Sequence, residues 1–231
     1  NVIDSSSFDD AINASAGTGA PGPYGTLTVV AQDNVISQSG GPGNCASGIG
    51  ISGVPARFVA TVTGNRITLD NLYQCGGIDA VIGGTSATVS TATIDRNEIR
   101  GTAFDFGIEV RNFGTNPGET PGTLDATVTD NLVAGQDGNT GAPAGLVVSA
   151  DGNNAAIAAS LVNNTIVDGR IGVLVSLRDD LGAVVTGGLF NNIVAFNSQT
   201  GIGIDGAAPG FANGYNVDFG NGGDFFTPGA G

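Results

Sequence analysis

The amino-acid sequence predicts an all-β protein, folded as a right-handed, single-stranded parallel β-helix of about seven coils. First, an asparagine followed two residues later by an aliphatic residue recurs at intervals of 28 to 34 residues, which is typical of stacked repeats. Second, apolar and polar residues alternate around each of these asparagines. Third, 40 glycines and only 6% aromatic residues suit many thin layers better than one bulky globular core.

Each predicted coil is marked by an asparagine and, 8 to 14 residues later, by a small residue. The asparagines are Asn1, Asn34, Asn65, Asn97, Asn131, Asn164 and Asn192, with a weaker eighth at Asn216. The small residues are Ala11, Gly48, Gly77, Gly107, Gly145, Gly172 and Gly201. Asparagine tolerates the left-handed backbone of a sharp turn, and stacked amides can hydrogen-bond from coil to coil. We therefore expect a continuous line of asparagines along the axis.

Period-two alternation in short runs rich in Val, Ile and Thr predicts β-strands. The residues three positions before the asparagines form one apolar column: Ala31, Val62, Ile94, Val128, Leu161 and Leu189. The residues five positions before the asparagines form a second apolar column: Val29, Ala60, Ala92, Ala126, Ala159 and Gly187. An outward polar column lies between them: Thr61, Thr93, Thr127 and Ser160. With another strand after each small residue, every coil has at least two strands, and crossovers between parallel strands are overwhelmingly right-handed.

The charge balance argues against several classes of partner. Seven arginines, with no lysine or histidine, stand against 21 acidic residues, for a net charge of −14. Such a chain repels phosphate backbones and anionic membrane surfaces, so we expect no nucleic-acid partner. No run approaches 18 consecutive apolar residues, so we expect no membrane insertion. We expect no cofactor, although calcium, which prefers several carboxylate oxygens, stays open.

Residues 1–231 are predicted as a single domain with atypical ends. Asn1 and Ile3 already match an interior coil, so the chain is expected to start mid-coil. It would then be a segment of a larger surface protein or a subunit that stacks end to end with its copies. Residues 206–231 are interpreted as a degenerate last coil and tail. Three Gly-rich, Pro-rich or Asn-rich insertions are predicted as exposed loops: residues 40–44, 115–121 and 136–144.

The two cysteines precede neighbouring small-residue marks. Cys45 lies three residues before Gly48, and Cys75 lies two residues before Gly77. Adjacent coils should place these cysteines almost one above the other, which predicts a disulfide and an oxidising compartment. The alternatives are two free thiols or half of a metal site. A zinc site is nearly excluded, because the chain has neither histidine nor a third cysteine.

Two repeat units are similar to the parallel β-helix repeats of the pectate-lyase-like superfamily: residues 93–99 with 107–110, and residues 161–166 with 172–175. The similarity covers nearly the whole chain. It implies the fold but not an activity, because the superfamily includes polysaccharide lyases, hydrolases, epimerases, adhesins and surface proteins of no known activity. Hydrolases of the superfamily carry Gly-His-Gly and Arg-x-Lys beside paired aspartates. This chain has Asp179 and Asp180 but neither histidine nor lysine.

Lyases of the superfamily use an Arg or Lys base together with carboxylates that bind calcium, which neutralises the carboxylate of a uronate. The best candidates here are Asp79, Glu109 and Arg111, because alternation points all three outward and places the two acids on adjacent coils. The competing interpretation is an ion pair on a solvated surface.

We therefore interpret the chain as a non-catalytic module of the extracellular space or cell surface, with a structural or adhesive role. The leading alternative is a carbohydrate-active enzyme, resembling a polysaccharide lyase, or a protein that binds acidic glycans. A remote alternative is an ice-binding protein, because ranks of outward threonines resemble ice-binding faces. Threonine is, however, generally favoured on exposed strands.

Overall fold

Three stacked parallel sheets form the described part of the chain. The computed structural model describes residues 1–5, 10–16, 25–38, 47–54, 56–70, 76–84, 88–102, 105–115, 122–136, 144–177, 182–204, 208 and 210–223. Over these residues the chain contains β-strands and no helix. The predicted all-β fold of stacked parallel strands is therefore confirmed as a β-solenoid. The right hand and the number of coils stay predictions.

Each coil passes through sheets A, B and C in turn. Sheet A contains β1 (Val2–Ser5), β4 (Val35–Gln38), β7 (Arg66–Asp70), β10 (Glu98–Thr102), β13 (Leu132–Ala134), β16 (Thr165–Val167), β19 (Ile193–Ala195) and β22 (Val217–Phe219). Sheet B contains β2 (Ile12–Ala16), β5 (Ser47–Gly53), β8 (Gly76–Ile82), β11 (Phe106–Asn112), β14 (Ala144–Ala150), β17 (Ile171–Leu177) and β20 (Thr200–Ile204). Sheet C contains β3 (Thr26–Gln32), β6 (Arg57–Thr63), β9 (Val89–Asp95), β12 (Thr123–Thr129), β15 (Ala156–Val162), β18 (Val184–Phe190) and β21 (Gly210–Gly214).

The apolar columns predicted from the sequence line the inside of the solenoid. In sheet C, the first column is buried from Ala31 to Leu189. The second column is buried from Val29 to Ala159, whereas Gly187, where φ is 112°, is exposed. The outward column between them stacks in register as predicted: Thr61, Thr93, Thr127 and Ser160. Aliphatic side chains of one layer thus pack on those of the next, and among the described residues Phe58 is the one fully buried aromatic side chain in this core.

The small-residue mark reflects a shortage of space at the start of the sheet B strands. A Cβ atom on Gly77 would lie 2.7 Å from both the Gly107 carbonyl oxygen and the Ile99 Cγ2 methyl. A Cβ atom on Gly107 would fall on the Val133 Cγ1 methyl and lie 2.6 Å from the Gly145 carbonyl oxygen. Because real Cβ atoms do not approach other atoms so closely, the branched side chains of sheet A require glycine at these positions.

The sharp corner between sheets C and A is formed one residue earlier than expected. We expected the marked asparagines to adopt the left-handed backbone, but the residues immediately before them do so, with φ between 52° and 67°: Asp33, Gly64, Arg96, Asp130, Asn163, Asn191 and Tyr215. All of these residues are exposed. The asparagine itself must keep its side chain directed inward along the stack, so the preceding residue, whose side chain faces solvent, makes the reversal.

The glycine column can be tested with a matched pair of substitutions in sheet B. We expect Gly107→Ala to lower the free energy of unfolding by about 2 kcal/mol, because its new methyl would overlap Val133 and the Gly145 carbonyl. Gly203→Ala is the control, since its Cβ would meet only ordinary contacts, the nearest at 3.4 Å from Leu174 Cδ1. Denaturant unfolding followed by circular dichroism measures both. Equal losses in the two variants would contradict the explanation.

Candidate functional site

A continuous line of hydrogen-bonded asparagine side chains joins the coils. The Asn1 Nδ2 atom donates to Asn34 Oδ1 at 3.0 Å, and Asn34 Nδ2 donates in the same way to Asn65 Oδ1 at 2.9 Å. The bond recurs through every later member of the line: Asn97, Asn131, Asn164, Asn192 and Asn216. The predicted asparagine stack is therefore confirmed.

Each interior amide of this line also satisfies backbone groups at the corner. The Asn131 Oδ1 atom accepts from the Asn97 backbone N–H at 2.9 Å, and Asn131 Nδ2 donates to the Ile94 carbonyl at 2.9 Å. The members from Asn34 to Asn192 are at most 5% exposed. An unpaired polar group buried at this depth would be costly, so the line holds successive coils in register. These contacts give the asparagines a structural role.

A second, shorter polar column lies at the corner between sheets A and B. The Asn197 Nδ2 atom donates to Asn221 Oδ1 at 2.8 Å, and Asn197 Oδ1 accepts from the Gly169 backbone N–H at 3.0 Å. Two coils before Asn197, Gln136 Nε2 donates to the Gly101 carbonyl at 2.9 Å. Gln136 and Asn197 are both almost fully buried. This column satisfies backbone groups at the corner between sheets A and B, although Gln136 Oε1 has no hydrogen-bond partner among the described residues.

Sequence reasoning missed the second column, although it carries a detectable signal. Gln136, Asn197 and Asn221 each follow a marked asparagine by five residues. The assignment of residues 136–144 to an exposed loop is therefore wrong at its ends, because Gln136 and Ala144 are both buried. Residues 137–143, like 40–44 and 116–121, lie outside the described part of the chain.

The structure brings together the three residues proposed for catalysis, on the outside of sheet B. Asp79 in β8 and Glu109 in β11 are direct register partners. Glu109 is nevertheless only 8% exposed, and Asp79 Oδ1 is buried without a hydrogen-bond partner in the described residues. The two acids thus point away from the core, as predicted. The solvated surface of the competing interpretation is not what surrounds them.

Apolar and acidic neighbours explain this burial. The other register partner of Glu109 is Val147, which belongs to a small apolar cluster with Phe106 and Ala144 outside the main core. The Asp10 carboxylate lies over Gly50, the residue that pairs with Asp79 on its other side. Asp79 is therefore placed between two other acids in a poorly hydrated position. Its environment depends on residues from three other coils.

Arg111 completes the cluster, but its closest acidic partner is Asp151. Its Nε atom donates to Asp151 Oδ2 at 2.7 Å, whereas its Nη1 atom is 3.9 Å from Glu109 Oε1. The guanidinium also lies 4.2 Å from the centre of the Phe113 ring, and Asp151 accepts a second bond from the Ser149 hydroxyl at 2.5 Å. Sequence reasoning missed Asp151, which directly follows β14. These contacts hold the positively charged guanidinium of Arg111 in place beside the acid pair.

Burial dominates the protonation of the two acids. Burial, reinforced by the charges of Glu109 and Asp10, raises the pKa of Asp79 from 3.8 to about 8, although Arg111 lowers it. Burial likewise raises the pKa of Glu109 to about 7. The pKa of the half-buried Asp105 nearby is also raised by burial. Near neutral pH the pair therefore retains a proton, and this arrangement can donate and accept protons.

The remaining candidate residues fall outside the part of the chain that the structure describes. In the described ranges no three or more Asp, Glu, His or Cys residues are grouped so that they could hold a metal ion. Calcium binding therefore stays a prediction without an assigned site. Cys45, Cys75, Asp179 and Asp180 lie outside the described residues. The disulfide also stays a prediction.

Comparisons with known proteins add no relative. No protein-family model, no curated protein and no solved structure matches the chain. Among the described residues, no helix is both long and apolar enough to span a membrane. The interpretation of the site therefore rests on its own geometry.

Removal of one amide from the asparagine line should destabilise the solenoid. We expect Asn131→Ala to lower the free energy of unfolding by about 3 kcal/mol, because it leaves the Asn97 backbone N–H and side-chain amide without their acceptor. Thr127→Ala, on the exposed face of the adjacent strand, should change it by less than about 0.5 kcal/mol. Chemical denaturation measures both values, and a neutral Asn131→Ala substitution would contradict the role of the line.

The buried acid pair should make the fold less stable at alkaline pH. Between pH 3.8 and about 8 the folded chain holds a proton on Asp79 that the unfolded chain has released. The stability contributed by this proton is complete below pH 3.8 and is lost progressively as the pH rises from 3.8 to about 8. Asp79→Asn cannot ionise, so it should be more stable than wild type at alkaline pH by on the order of 2 kcal/mol.

Denaturant unfolding at a series of pH values tests this prediction. The exposed Asp125→Asn substitution on β12 is the control and should follow the wild-type pH dependence. If Asp79→Asn and wild type lose stability in parallel as the pH rises, the assignment of the proton to Asp79 is wrong.

Proposed function

We propose that this chain is a non-catalytic structural or adhesive module of an extracellular or cell-surface protein, built as a short rigid rod. The observation that carries the proposal is the continuous stacking of equivalent residues from coil to coil. The eight strands of sheet A, about 4.8 Å apart, span roughly 34 Å. Inward polar side chains in this stack are used to join one coil to the next rather than to form a pocket.

Charged side chains also support the rod. Glu98 of β10 accepts from Arg66 of the preceding sheet A strand at 3.0 Å and from Arg100 of its own strand at 2.6 Å. Arg96 pairs with Asp95 at 2.9 Å and also donates to the Thr63 hydroxyl, one coil away, at 3.2 Å. Individually these exposed pairs contribute little. Together they link neighbouring coils on the outside, as the asparagines do on the inside.

The outer face of sheet C is the best candidate for an adhesive surface. Its exposed hydroxyls form an in-register column that includes Thr93, Thr127 and Ser160. Beside this column Asp95 accepts from the Thr129 hydroxyl at 2.9 Å and from the Thr63 hydroxyl at 3.4 Å. A flat face of ordered hydroxyls and carboxylates can hydrogen-bond repeatedly to a hydroxyl-rich polymer such as a glycan.

Two sequence features support the extracellular location. A Cys45–Cys75 disulfide would persist only in an oxidising compartment. The net charge of −14 keeps a glycine-rich rod soluble without a basic surface for nucleic acid or anionic lipid. The resemblance of the repeats to the pectate-lyase-like superfamily, which includes adhesins and surface proteins, agrees with this location.

The second candidate function is polysaccharide cleavage at the acid pair. It is favoured by one observation: beside Glu109, the Oδ1 atom of Asp79 is buried and has no hydrogen-bond partner in the described part of the chain. With raised pKa values, these carboxyls could act as general acid and general base on a glycosidic bond. The lyase-type reaction expected from the superfamily is less favoured, because Arg111, its proposed base, is held by Asp151 and Phe113.

A polysaccharide panel separates the two candidates. Wild type would be assayed for binding and for turnover of acidic and neutral polysaccharides, with and without calcium. We expect binding without turnover, and we expect the Thr93→Ala/Thr127→Ala variant to bind at least about fivefold more weakly, because each lost hydrogen bond contributes roughly 1 kcal/mol. Glu109→Gln is the matched control and should bind as wild type does. Turnover by wild type that disappears in Glu109→Gln would instead establish the second candidate.

A further inference from the structure

The last described rung, formed by β21 and β22, has polar residues at two inward positions where earlier rungs have aliphatic residues. In sheet C, Asn213 pairs with Leu189 and continues the buried column that begins at Ala31. In sheet A, Asp218 pairs with Val194 and continues the column that includes Ile99. Both aliphatic columns therefore end in a side chain that favours contact with water.

The Asp218 side chain occupies the same space as the aliphatic groups that it replaces. A Cβ atom on Gly172 would fall on the Val194 Cγ1 methyl, and one on Gly145 would fall on an Ile166 methyl. At the equivalent Gly201, the Cβ atom would fall on Asp218 Oδ1. The carboxylate thus lies in the inward position of its rung. The rung differs from earlier ones because this position holds a charged side chain and not an aliphatic one.

These two polar side chains also end the two amide columns. The Asn216 Nδ2 atom donates to Asn213 Oδ1 at 2.6 Å, where each earlier member of the line donates to the next asparagine. Asn221 Nδ2 donates in the same way to Asp218 Oδ1. In both columns the acceptor is three residues earlier in the same rung. The Nδ2 groups of Asn216 and Asn221, which would otherwise need an acceptor from a further coil, thereby find one within their own rung.

We infer that β21 and β22 form a polar cap on the described part of the stack, which prevents another copy of this chain from pairing on this face. A second copy placed here would bury Asn213 and the Asp218 carboxylate against apolar residues, which is unfavourable. An open depression of about 260 Å³ lies over the rung, and its lining includes Asn213, Asn216, Asp218 and the exposed Tyr215. End-to-end assembly stays a prediction, and the polar cap weighs against it at this end.

The inference is tested by restoring the aliphatic pattern. The variant Asn213→Leu/Asp218→Val places at the last described rung the residues found one coil earlier. It removes the side-chain acceptor of Asn216 Nδ2 and of Asn221 Nδ2, which keep only their bonds to the Leu189 and Val194 carbonyls. We expect wild type to be monomeric in sedimentation velocity, and we expect the weight-average mass of the variant to at least double as its concentration rises. Unpaired strand edges above an apolar layer would then pair with another copy.

The control variant Ala212→Leu/Asp125→Val adds apolar groups at exposed outward positions and should stay monomeric. Circular dichroism establishes that each variant keeps its β-structure. If the double variant does not fold, the single variant Asp218→Val, which retains Asn213, replaces it and should also associate. A folded variant that remains monomeric at every concentration overturns the inference. Wild-type chains that already form end-to-end filaments overturn it as well.

Discussion

Hydrogen bonding between the side-chain amides of successive coils is the constraint on which the rest of the structure depends. A corner that turns toward the core places backbone N–H and carbonyl groups where water cannot reach them. The asparagine at each corner satisfies these groups only if the next coil presents its own asparagine at the same height. This requirement fixes the register of sheets C and A, which meet at that corner, and a slip by one residue would turn their aliphatic columns outward.

The sequence was sufficient for the features that recur as residue types. The asparagine spacing gave the register. The column that ends at Leu189 follows from alternation, and the column that ends at Val194 follows from the aliphatic residue two positions after each asparagine. The left-handed corner could not be found in this way, because Asp33, Arg96 and Tyr215 share a backbone conformation but no side-chain chemistry. Sheet A was not recognised as a separate sheet, because its strands have only three to five residues and each one after β1 is separated from the preceding sheet C strand by just two residues.

The candidate site was likewise predictable from the sequence in part only. Alternation was enough to place Asp79, Glu109 and Arg111 on one face of adjacent coils. Their burial was not predictable, because it arises from residues such as Val147 and Asp10, which other coils bring to the same face. Periodicity describes what repeats, whereas a site with altered protonation is made by departures from the repeat.

The amide columns also give the rod an electrical direction. In the main line each Oδ1 atom from Asn34 to Asn216 accepts from the asparagine of the preceding coil, and each Nδ2 atom from Asn1 to Asn192 donates to the asparagine of the following coil. These side-chain bonds therefore all point the same way along the rod. The positive ends of both columns emerge at Asn216 and Asn221. The carboxylate of Asp218 meets one of them, as an acidic side chain does at the first turn of a helix.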